Sequence, residues 1–532
     1  MKTRITHLSI FIVCVLVAEI SFGDEQKSRP NILYIMSDDH TTQAFGVYGS
    51  RLASLNPTPH IDQLAREGMR FNEVFCNNSI CTPSRASIIT GQYRQTNGVL
   101  DLSGRIAPER QYLPMEMRKV GYETAIIGKW HLKEEPAAFD YYNVLPGQGL
   151  YYDSVTRDAS KGTWPDNVVE HQGHSSDVKT DLSLDWLRDR DKSKPFFLMH
   201  HFKAPHDMFV NAKRYDSYLE DVEIPEPDNL YDQPGPGFGS ASTRGLDDSM
   251  VNAIGASVSK RNNQWGLGQR LGIDESIPEP EYTSVVYQTY LKRYLRCVKG
   301  VDDNVQRLVD YLKAEGIYNN TLIIYTGDQG FFLGEHDLFD KRWMYEEAMQ
   351  MPFIVRYLGT FESGSQSDLL INNTDFAPTL IDFAGGQVPD FMQGESFART
   401  LKGERESEWR EATYYRYWMH MAHKLGTPAH FGIRTKKYKL IFFYGVDFED
   451  PPRLSYWGSQ ADIVTPPGWE LYDMENDPHE MSNLYEKPDY AEIIAELKNK
   501  LKSLREELDE TDEDYPHIQK VIDEHWDDLR LG

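Results

Sequence analysis

Residues 31–39, NILYIMSDD, decide the fold class: a short apolar run ends in two adjacent carboxylates. The run Asn31–Met36 is rich in β-forming residues and lacks polar alternation, which is typical of a strand buried on both faces. Three later stretches also join an apolar run to polar residues: Glu123–Ile127 before GKWH, Pro195–Met199 before HH, and Thr321–Tyr325 before TGDQ. Because helical stretches separate these runs, the sequence predicts an α/β protein with a mostly parallel sheet.

The polar residues that follow these strands predict a single functional site. Carboxyl ends of parallel strands share one edge of a sheet, and ligands gather at that edge. Asp38 and Asp39 follow the first strand, and Asp328 and Gln329 follow another. Adjacent carboxylates at a buried strand end repel each other unless a cation lies between them, and clustered hard oxygen ligands suit Ca²⁺.

The length and composition set the domain organisation and exclude one class of partner. A chain of 532 residues can form one large domain and a smaller one. From about residue 412 the apolar runs become shorter and more aromatic, and a charged helical stretch follows from about Asp489 to Glu507. We therefore expect a domain at 24–411 and a smaller one at 412–532, with an antiparallel sheet and a helix. The net charge of −26 argues against nucleic acid as a partner.

The N-terminal residues 1–23 have the features of a signal peptide. Lys2 and Arg4 precede an apolar run, and small residues stand before a cleavage site at Asp24. The run is too short for a transmembrane helix, so we expect a secreted or periplasmic protein without a membrane anchor. Three cysteines remain after cleavage, and an odd number leaves at least one thiol unpaired.

Residues 81–91, CTPSRASIITG, have the features of a helix that begins at a nucleophile. Pro83 suits the first turn of a helix, and Gly91 suits its end. Cys81 then lies at the helix N-terminus, where free N–H groups and the macrodipole favour negative charge. Arg85, one turn further on, lies on the same face. The position alone fits a buried structural cysteine equally well, so the functional interpretation depends on the motif.

The motif Cys81-Thr82-Pro83-Ser84-Arg85, closed by Thr90-Gly91, resembles the signature of type I sulfatases. Further blocks resemble the same family in the same order: residues 31–39, 58–68, 128–132, 205–206, 327–347 and 471–484. The resemblance spans nearly the whole mature chain. It implies an alkaline phosphatase-like α/β sandwich, with a large mixed sheet and a smaller C-terminal antiparallel sheet.

The resemblance also implies a set of site residues. A dedicated maturation enzyme oxidises the family's cysteine, here Cys81, to formylglycine. The implied Ca²⁺ ligands are Asp38, Asp39, the modified Cys81, Asp328 and Gln329, and Gln329 stands where the family more often has Asn or His. The implied catalytic residues are Cys81, Arg85, Lys129, His131, His206 and Lys341.

In the mechanism that the resemblance implies, formylglycine hydrates to a geminal diol and one hydroxyl attacks sulfur. His206 protonates the departing alcohol, a task that suits a histidine because its pKa lies near working pH. The second hydroxyl then expels the sulfate. The spacing of Lys129 and His131 places both side chains on one face if that stretch is extended. Positive charge from Arg85, Lys129, Lys341 and the cation would attract an anionic substrate into the cleft of an acidic protein.

The expected substrate is a sulfated polysaccharide or its oligosaccharides, of glycosaminoglycan or algal type. The stretch FDYYNVLPGQGLYYD, residues 139–153, is similar to one found in carbohydrate sulfatases. Candidate sugar contacts are Gln95, which stands where many relatives carry a histidine, together with His420, His423, His430 and Arg434. Two alternatives stay open: a phosphonate monoester or phosphodiester hydrolase of the same fold, and a non-catalytic glycan-binding homologue.

Overall fold

The structure is a computed structural model that describes residues 29–231, 239–244, 256–261, 266–406 and 408–528. The predicted signal peptide lies outside the described residues. Within them, no helix has both the length and the apolar character needed to cross a membrane. Cys76, Cys81 and Cys297 are all buried, free thiols. The packing of the chain therefore does not depend on a disulfide between these three cysteines.

The secondary structure alternates strands and helices through most of the chain. The strands, numbered in chain order, are β1 Asn31–Asp38, β2 Met69–Phe71, β3 Val74–Phe75, β4 Glu123–Lys129, β5 Tyr141–Leu145, β6 Val155–Asp158, β7 Val168–Glu170, β8 Phe196–Pro205, β9 Ala256–Ser257, β10 Thr321–Gly327, β11 Phe332–Leu333, β12 Leu338–Asp340, β13 Phe353–Arg356, β14 Ser365–Ser367, β15 Ile371–Asn372, β16 Ala412–Tyr417, β17 His430–Thr435, β18 Tyr438–Phe443 and β19 Gly468–Asp473. The α-helices are Pro59–Glu67, Cys81–Thr90, Arg94–Asn97, Tyr112–Lys119, Ser175–Asp189, Ala241–Arg244, Leu267–Leu271, Glu281–Ala314, Glu346–Met349, Phe376–Phe383, Ala398–Leu401, Ala491–Glu507 and Pro516–His525.

The largest sheet has ten strands in the order β14-β2-β13-β10-β1-β8-β4-β5-β6-β7. Its five central strands, from β10 to β5, run parallel. Strand β13 is antiparallel to β10, and β6 is antiparallel to β5, so the sheet is mixed at its margins. The four apolar runs identified in the sequence are four of the five central strands, which confirms the predicted mixed, mostly parallel sheet.

Both faces of this sheet are covered, as the continuous apolar strands predict. Along β1, Ile32 and Tyr34 pack into the apolar cluster on one face, and Leu33 and Ile35 pack into the cluster on the other. The first cluster includes residues of the helices Cys81–Thr90, Tyr112–Lys119 and Phe376–Phe383. The second includes residues of Pro59–Glu67, Ser175–Asp189 and Glu281–Ala314. The motif at residues 81–91 thus begins a helix that is packed on the sheet.

A second, smaller sheet is antiparallel, in the order β16-β17-β18-β19. It lies between the large domain and the C-terminal helices. Tyr415 and Tyr417 of β16 pack into the first cluster of the large sheet, whereas Tyr414 packs against Leu497 and Leu501 of the C-terminal helix. The predicted small antiparallel sheet is confirmed, and the predicted domain boundary at residues 411 and 412 stays a prediction.

The helix Cys81–Thr90 begins and ends where the motif predicts. Ile80 before it is extended, with φ −150° and ψ 139°, and Gly91 after it is left-handed, with φ 66°. All ten residues of the helix are buried. A left-handed backbone at this position favours glycine, because a residue with a side chain would be strained in that conformation.

Candidate active site

The ends of β1 and β10 bring two pairs of polar residues side by side. Ser37 is paired with Gly327 in the parallel register, so Asp38-Asp39 and Asp328-Gln329 follow neighbouring strand ends. The backbone N–H of Asp39 donates to Oδ1 of Asp328 over 3.1 Å. All four side chains are fully buried. The structure therefore gathers the four protein side chains named as Ca²⁺ ligands.

Arg85 links these carboxylates to the helix that begins at Cys81. Its Nε and Nη2 atoms each lie 2.9 Å from Oδ2 of Asp328. Nη2 also lies 3.6 Å from Oδ1 of Asp38, and Nη1 donates to the backbone oxygen of Lys129 over 2.7 Å. Cys81 is itself buried. The fixed guanidinium places a permanent positive charge between the two carboxylates and the start of the helix.

Lys129 and His131 lie at the end of β4, on either side of a change in backbone direction. The Lys129 ammonium donates to Oδ2 of Asp38 and, over 2.6 Å, to Oε1 of Gln148. His131 has a left-handed backbone, with φ 59°, and its Nδ1 atom lies 3.2 Å from Oγ1 of Thr82. The strand ends at Lys129, so the extended backbone assumed from the spacing does not continue to His131. The chain turns instead, and this turn brings His131 to the first turn of the Cys81 helix.

Lys341 and Gln329 both contact the second aspartate. The Lys341 ammonium lies 2.5 and 2.6 Å from the two carboxylate oxygens of Asp39. The side-chain amide of Gln329 donates to Oδ1 of the same carboxylate. Burial would lower the pKa of Lys341, but the negative charge of Asp39 raises it above its ordinary value. The lysine is therefore a cation at the bottom of the site.

His206 lies directly after β8, at the more open side of the cluster. Its Nε2 atom is 3.8 Å from Oδ2 of Asp39, and its Nδ1 atom is 2.6 Å from Oδ1 of Asp207. The His206 side chain is 12% exposed, whereas that of Asp39 is fully buried. This histidine is thus placed between the buried charges and the solvent, where a substrate would enter.

The charges of the cluster shift the pKa values of its members in opposite directions. Burial alone would raise the pKa of Asp38, but Lys129, followed by His206 and Arg85, holds it well below its ordinary value. For Asp328, burial and then the charge of Asp38 raise the pKa well above its ordinary value. Two carboxylates this close cannot both be fully ionised at low cost without further positive charge.

The donor set fits a hard divalent cation. One carboxylate oxygen each from Asp38 and Asp39 and one ring nitrogen of His206 lie within 4.8 Å of one another, a separation that suits a shared metal ion. Oδ1 of Asp38 and Oε1 of Gln329 are buried and have no hydrogen-bond partner among the described residues. Buried oxygens without partners are costly, and Ca²⁺ is bound by carboxylate and amide oxygens.

The five predicted sugar contacts are dispersed, and most have protein partners. Both ring nitrogens of His420 face backbone groups, His430 is buried against Trp343 and Tyr415, and Arg434 pairs with Glu346 and Glu73. Gln95 contacts the C-terminal segment through Glu510 and Thr511. His423 is half-buried, and the charges that act on it are those of Arg342 and Asp340. Their role as sugar contacts stays a prediction.

Several residues of the site were missed in the sequence. The loop after β5 supplies Gln148, which accepts from Lys129, and Tyr151, whose hydroxyl donates to the backbone oxygen of His206. Asp340 and Arg342 flank Lys341 and pair with each other over 2.9 Å. Gln148 stands between two glycines in the stretch 139–153, whose similarity to carbohydrate sulfatases rests on its aromatic residues. Only the folded loop shows that Gln148 reaches Lys129.

The similarity of this chain to known proteins extends over most of its length and includes the residues of the site. The family described as Sulfatase matches residues 30–386, and the family described as N-sulphoglucosamine sulphohydrolase, C-terminal, matches residues 334–450 and 463–507. An N-acetylglucosamine-6-O-sulfatase from Bacteroides thetaiotaomicron is 37% identical over 524 residues, which cover 92% of this chain and 88% of that protein.

Solved structures agree with these matches. The structure of BT4656 in complex with its substrate D-glucosamine-2-N,6-O-disulfate is similar to this chain, with a TM-score of 0.79 and 35% identity, and the match covers 91% of this chain and 99% of that one. A phosphonate monoester hydrolase of Agrobacterium radiobacter has a TM-score of 0.67 at 21% identity, covering 90% and 96% of the two chains. The second likeness shows a shared fold and nothing about activity.

Proposed function

This chain belongs to the sulfatase family and is a sulfuric ester hydrolase, and on that premise we propose that it removes the 6-O-sulfate from a glucosamine unit of a sulfated glycan. One observation carries the choice of substrate. The relative that is 37% identical is named for 6-O-sulfated N-acetylglucosamine, and the structure with a TM-score of 0.79 holds a 6-O-sulfated glucosamine as its substrate. Glycosaminoglycan-type chains are therefore favoured over algal-type chains.

The proposed sulfate pocket is lined by cations from three separate elements. Arg85 comes from the helix that begins at Cys81, Lys129 from the end of β4, and Lys341 from the residue after β12. Each contacts a carboxylate of Asp38, Asp39 or Asp328 and lies within the same buried cluster. A sulfate ester resists attack because its oxygens repel a nucleophile, and fixed positive charges reduce that repulsion.

Two groups complete the proposed site. Formylglycine formed from Cys81 supplies a nucleophilic oxygen in place of the thiol, at a helix N-terminus that favours negative charge. Ca²⁺ held by Asp38, Asp39, Asp328, Gln329 and the modified residue 81 supplies further positive charge for the sulfate oxygens.

The remaining chemistry is assigned to histidines. His206 is the proposed proton donor to the departing sugar hydroxyl, because it is the partly exposed imidazole at the mouth of the cluster. His131, beside the first turn of the Cys81 helix, is proposed to position the reacting oxygen at residue 81. Asp340 and Arg342, next to Lys341, offer an acceptor and donors for hydroxyls of the bound sugar.

The first experiment combines mass spectrometry with a panel of sulfated sugars. Protein produced together with a formylglycine-generating enzyme should give a Cys81 peptide about 18 Da lighter than the thiol form. It should release sulfate from N-acetylglucosamine 6-sulfate and fail on the 3-O-sulfated isomer. An unmodified thiol, under conditions that mature a control sulfatase, would contradict the proposed nucleophile.

Two comparisons test the alternatives. A phosphonate monoester or phosphodiester hydrolase would cleave aryl phosphate diesters faster than aryl sulfates, whereas the proposed enzyme does the reverse. Cys81→Ala should abolish turnover while the protein stays folded. A glycan-binding protein without catalysis would keep its whole function in that variant.

Export is part of the proposal. The predicted signal peptide at residues 1–23 and the expected sulfated glycan both place the enzyme outside the cytoplasm, secreted or in the periplasm. N-terminal sequencing of the protein from its native host should begin at Asp24. A chain that still begins at Met1 would contradict cleavage and export by this route.

A further inference from the structure

Residues 451–462, here called the rim segment, carry a large exposed aromatic side chain. The segment lies in the connection between β18 and β19, and it falls between the two ranges that match the C-terminal family region. Trp457 in this segment is 64% exposed and Leu454 is 57% exposed. Exposed indole surface contributes little to folding, and exposed apolar clusters commonly mark binding surfaces.

The rim segment is held in place on one side by a polar network. Arg453 lies 3.0 Å from Oδ2 of Asp101 and donates to Oγ of Ser103 over 2.9 Å. The hydroxyl of Tyr456 donates to the same carboxylate of Asp101. The backbone N–H of Ile106, five residues after Asp101, donates to the backbone oxygen of Leu132 over 3.2 Å. Because Leu132 directly follows His131, the stretch that anchors the rim segment is bonded beside the proposed active site.

The other side of the rim segment is anchored beside Lys341. The ring of Tyr456 meets the ring of His423 edge to face, with 5.7 Å between their centroids. The backbone N–H of Gln460 donates to the oxygen of Met421 over 3.0 Å, and Arg342, next to Lys341, donates through Nη1 to the hydroxyl of Tyr417 over 3.1 Å. The rim segment therefore connects two parts of the chain that border the sulfate pocket, and Trp457 follows Tyr456 directly.

A lysine accompanies the exposed ring. The Lys424 ammonium lies 5.6 Å from the centroid of Trp457, and the backbone N–H of Lys424 donates to the oxygen of Gly458 over 2.8 Å. Gly458 has φ 60°, and a Cβ atom there would lie 2.5 Å from Cγ of Lys424. Glycine at this position thus allows the lysine stem to cross close to the segment. The result is a cation over one face of an exposed aromatic ring.

We propose that Trp457 and Lys424 form a second sugar subsite, which holds an anionic sugar next to the unit that loses its sulfate. The inference rests on the proposed function and adds to it an oligosaccharide substrate. The apolar face of a sugar ring packs on an indole, and an ammonium pairs with a carboxylate or sulfate on that sugar. The occupant is accordingly a uronic acid or a sulfated sugar, rather than a neutral one.

Because the protein as a whole is acidic, binding an anionic sugar requires a local positive charge. With a net charge of −26, most of the surface repels a polyanionic glycan. Lys424 supplies positive charge beside Trp457, whereas the charge of Arg453 is balanced by Asp101 and Glu449. A sulfated chain is then attracted by Lys424 at the rim, although most of the acidic surface repels it.

The test compares substrates of different length in Trp457→Ala. The probes are N-acetylglucosamine 6-sulfate and two tetrasaccharides that begin with this unit, one with a uronic acid next to it and one with galactose. Loss of the aromatic contact should raise KM for both tetrasaccharides about three- to tenfold, with kcat and the monosaccharide KM unchanged. Phe391→Ala, which removes another exposed ring (48% exposed), is the matched control and should change none of these values.

Substitutions of Lys424 test the contribution of its charge separately from the stacking of a sugar on Trp457. Lys424→Ala should raise KM for the tetrasaccharide with a uronic acid and leave KM for the galactose-containing one unchanged, and Lys424→Arg should restore most of the loss. Equal effects of Trp457→Ala on the monosaccharide and the tetrasaccharides would overturn the subsite, because the segment would then only support the sulfate pocket. No effect on any probe would overturn it as well.

A failure of the proposed function would be recognised separately. In that case the wild-type enzyme turns over neither the monosaccharide nor the tetrasaccharides. The subsite is then tested by calorimetric titration of Cys81→Ala with the uronic acid tetrasaccharide. Weaker binding after the added Trp457→Ala change would still support the subsite, and equal binding would overturn it.

Discussion

Nδ1 of His206 lies 2.6 Å from Oδ1 of its chain neighbour Asp207. The opposite nitrogen of the same ring faces the buried cluster, 3.8 Å from Asp39. Burial would raise the pKa of Asp207, but the charge of His206 holds it below its ordinary value. A carboxylate at one ring nitrogen fixes the orientation of an imidazole and leaves the other nitrogen free to exchange a proton with a substrate.

Replacing His206 tests the assignment of the proton donor. General acid catalysis typically contributes about 10²- to 10⁴-fold, so His206→Ala should lower kcat for N-acetylglucosamine 6-sulfate by that order. The loss should be much smaller with 4-nitrophenyl sulfate, because a nitrophenolate departs without protonation. Sulfate release from both substrates gives the comparison. An equal loss on both would show that His206 binds or positions the sulfate instead.

Replacing Asp207 tests its support of that histidine. Asp207→Asn keeps the side-chain shape but removes the charge, and we expect about a tenfold lower kcat on the sugar substrate, with little change in KM. The exposed Asp189→Asn is the matched control. The aryl substrate should again be less affected, and a purely structural role for Asp207 would lower both activities together with the melting temperature.

Calcium binding should be visible without any assay of activity. A ligand that binds only the folded state stabilises it by about 2.7 kcal/mol at one hundred times its Kd. We therefore expect Ca²⁺ to raise the melting temperature and a chelator to lower it. Asp328→Asn, which keeps an acceptor for the Asp39 N–H, should lose most of this response. Equal melting temperatures with Ca²⁺ and with chelator would contradict the proposed metal site.

Gln148 offers a test of a residue that the sequence did not reveal. Its Oε1 atom accepts from the Lys129 ammonium over 2.6 Å, on a loop at the border of the site. Gln148→Ala removes one of the two acceptors recorded for that ammonium, and the loss of a hydrogen bond to a charged group corresponds to about a tenfold lower kcat/KM. Gln95→Ala is the comparison, since Gln95 contacts Glu510 and Thr511. A larger effect from Gln95 would restore its predicted role as a sugar contact.

The sequence predicts the fold well where one local signal agrees with the tertiary contacts. The apolar pattern of the strand that ends at Asp38 predicts burial on both faces. Helices cover both faces of the central sheet, so this local pattern agrees with the tertiary contacts. The helix that begins at Cys81 ends at Gly91 because only a left-handed residue continues the chain there. Each of these signals lies within about ten residues of sequence, so it can be recognised without knowing which residues pack against it.

The site was less predictable where it depends on loops that meet only in the folded chain. The spacing of Lys129 and His131 suggested one face of an extended segment, but the left-handed backbone of His131 turns the chain after β4. The density of His420, His423, His430 and Arg434 in the sequence predicts sugar contacts, yet Arg434 pairs with two glutamates. The contacts of Gln148 and of the rim segment join residues far apart in sequence, and no local pattern encodes them.

A buried carboxylate away from the active site gives a prediction for the stability of the fold. Asp302, in the long helix Glu281–Ala314, accepts from the backbone N–H groups of His60 and Ile61 at the start of another helix. Burial raises its pKa from 3.8 to about 7, against the opposing effect of Lys299. Asp303 and His60 also lie beside it.

The sign of the pH dependence follows from this shift. Because the folded state holds the proton of Asp302 more tightly than the unfolded chain does, stability falls as the pH rises from about 4 to 7. Asp302→Asn keeps an acceptor for the helix and cannot ionise, so it should be more stable than the wild type at pH 8, by about 1–3 kcal/mol, and similar at pH 4. Melting curves across this range measure the difference, with the exposed Asp310→Asn as control. A variant that is equally or less stable than the wild type at pH 8 would show that Asp302 stabilises the fold as a carboxylate, through Lys299 and the two N–H groups.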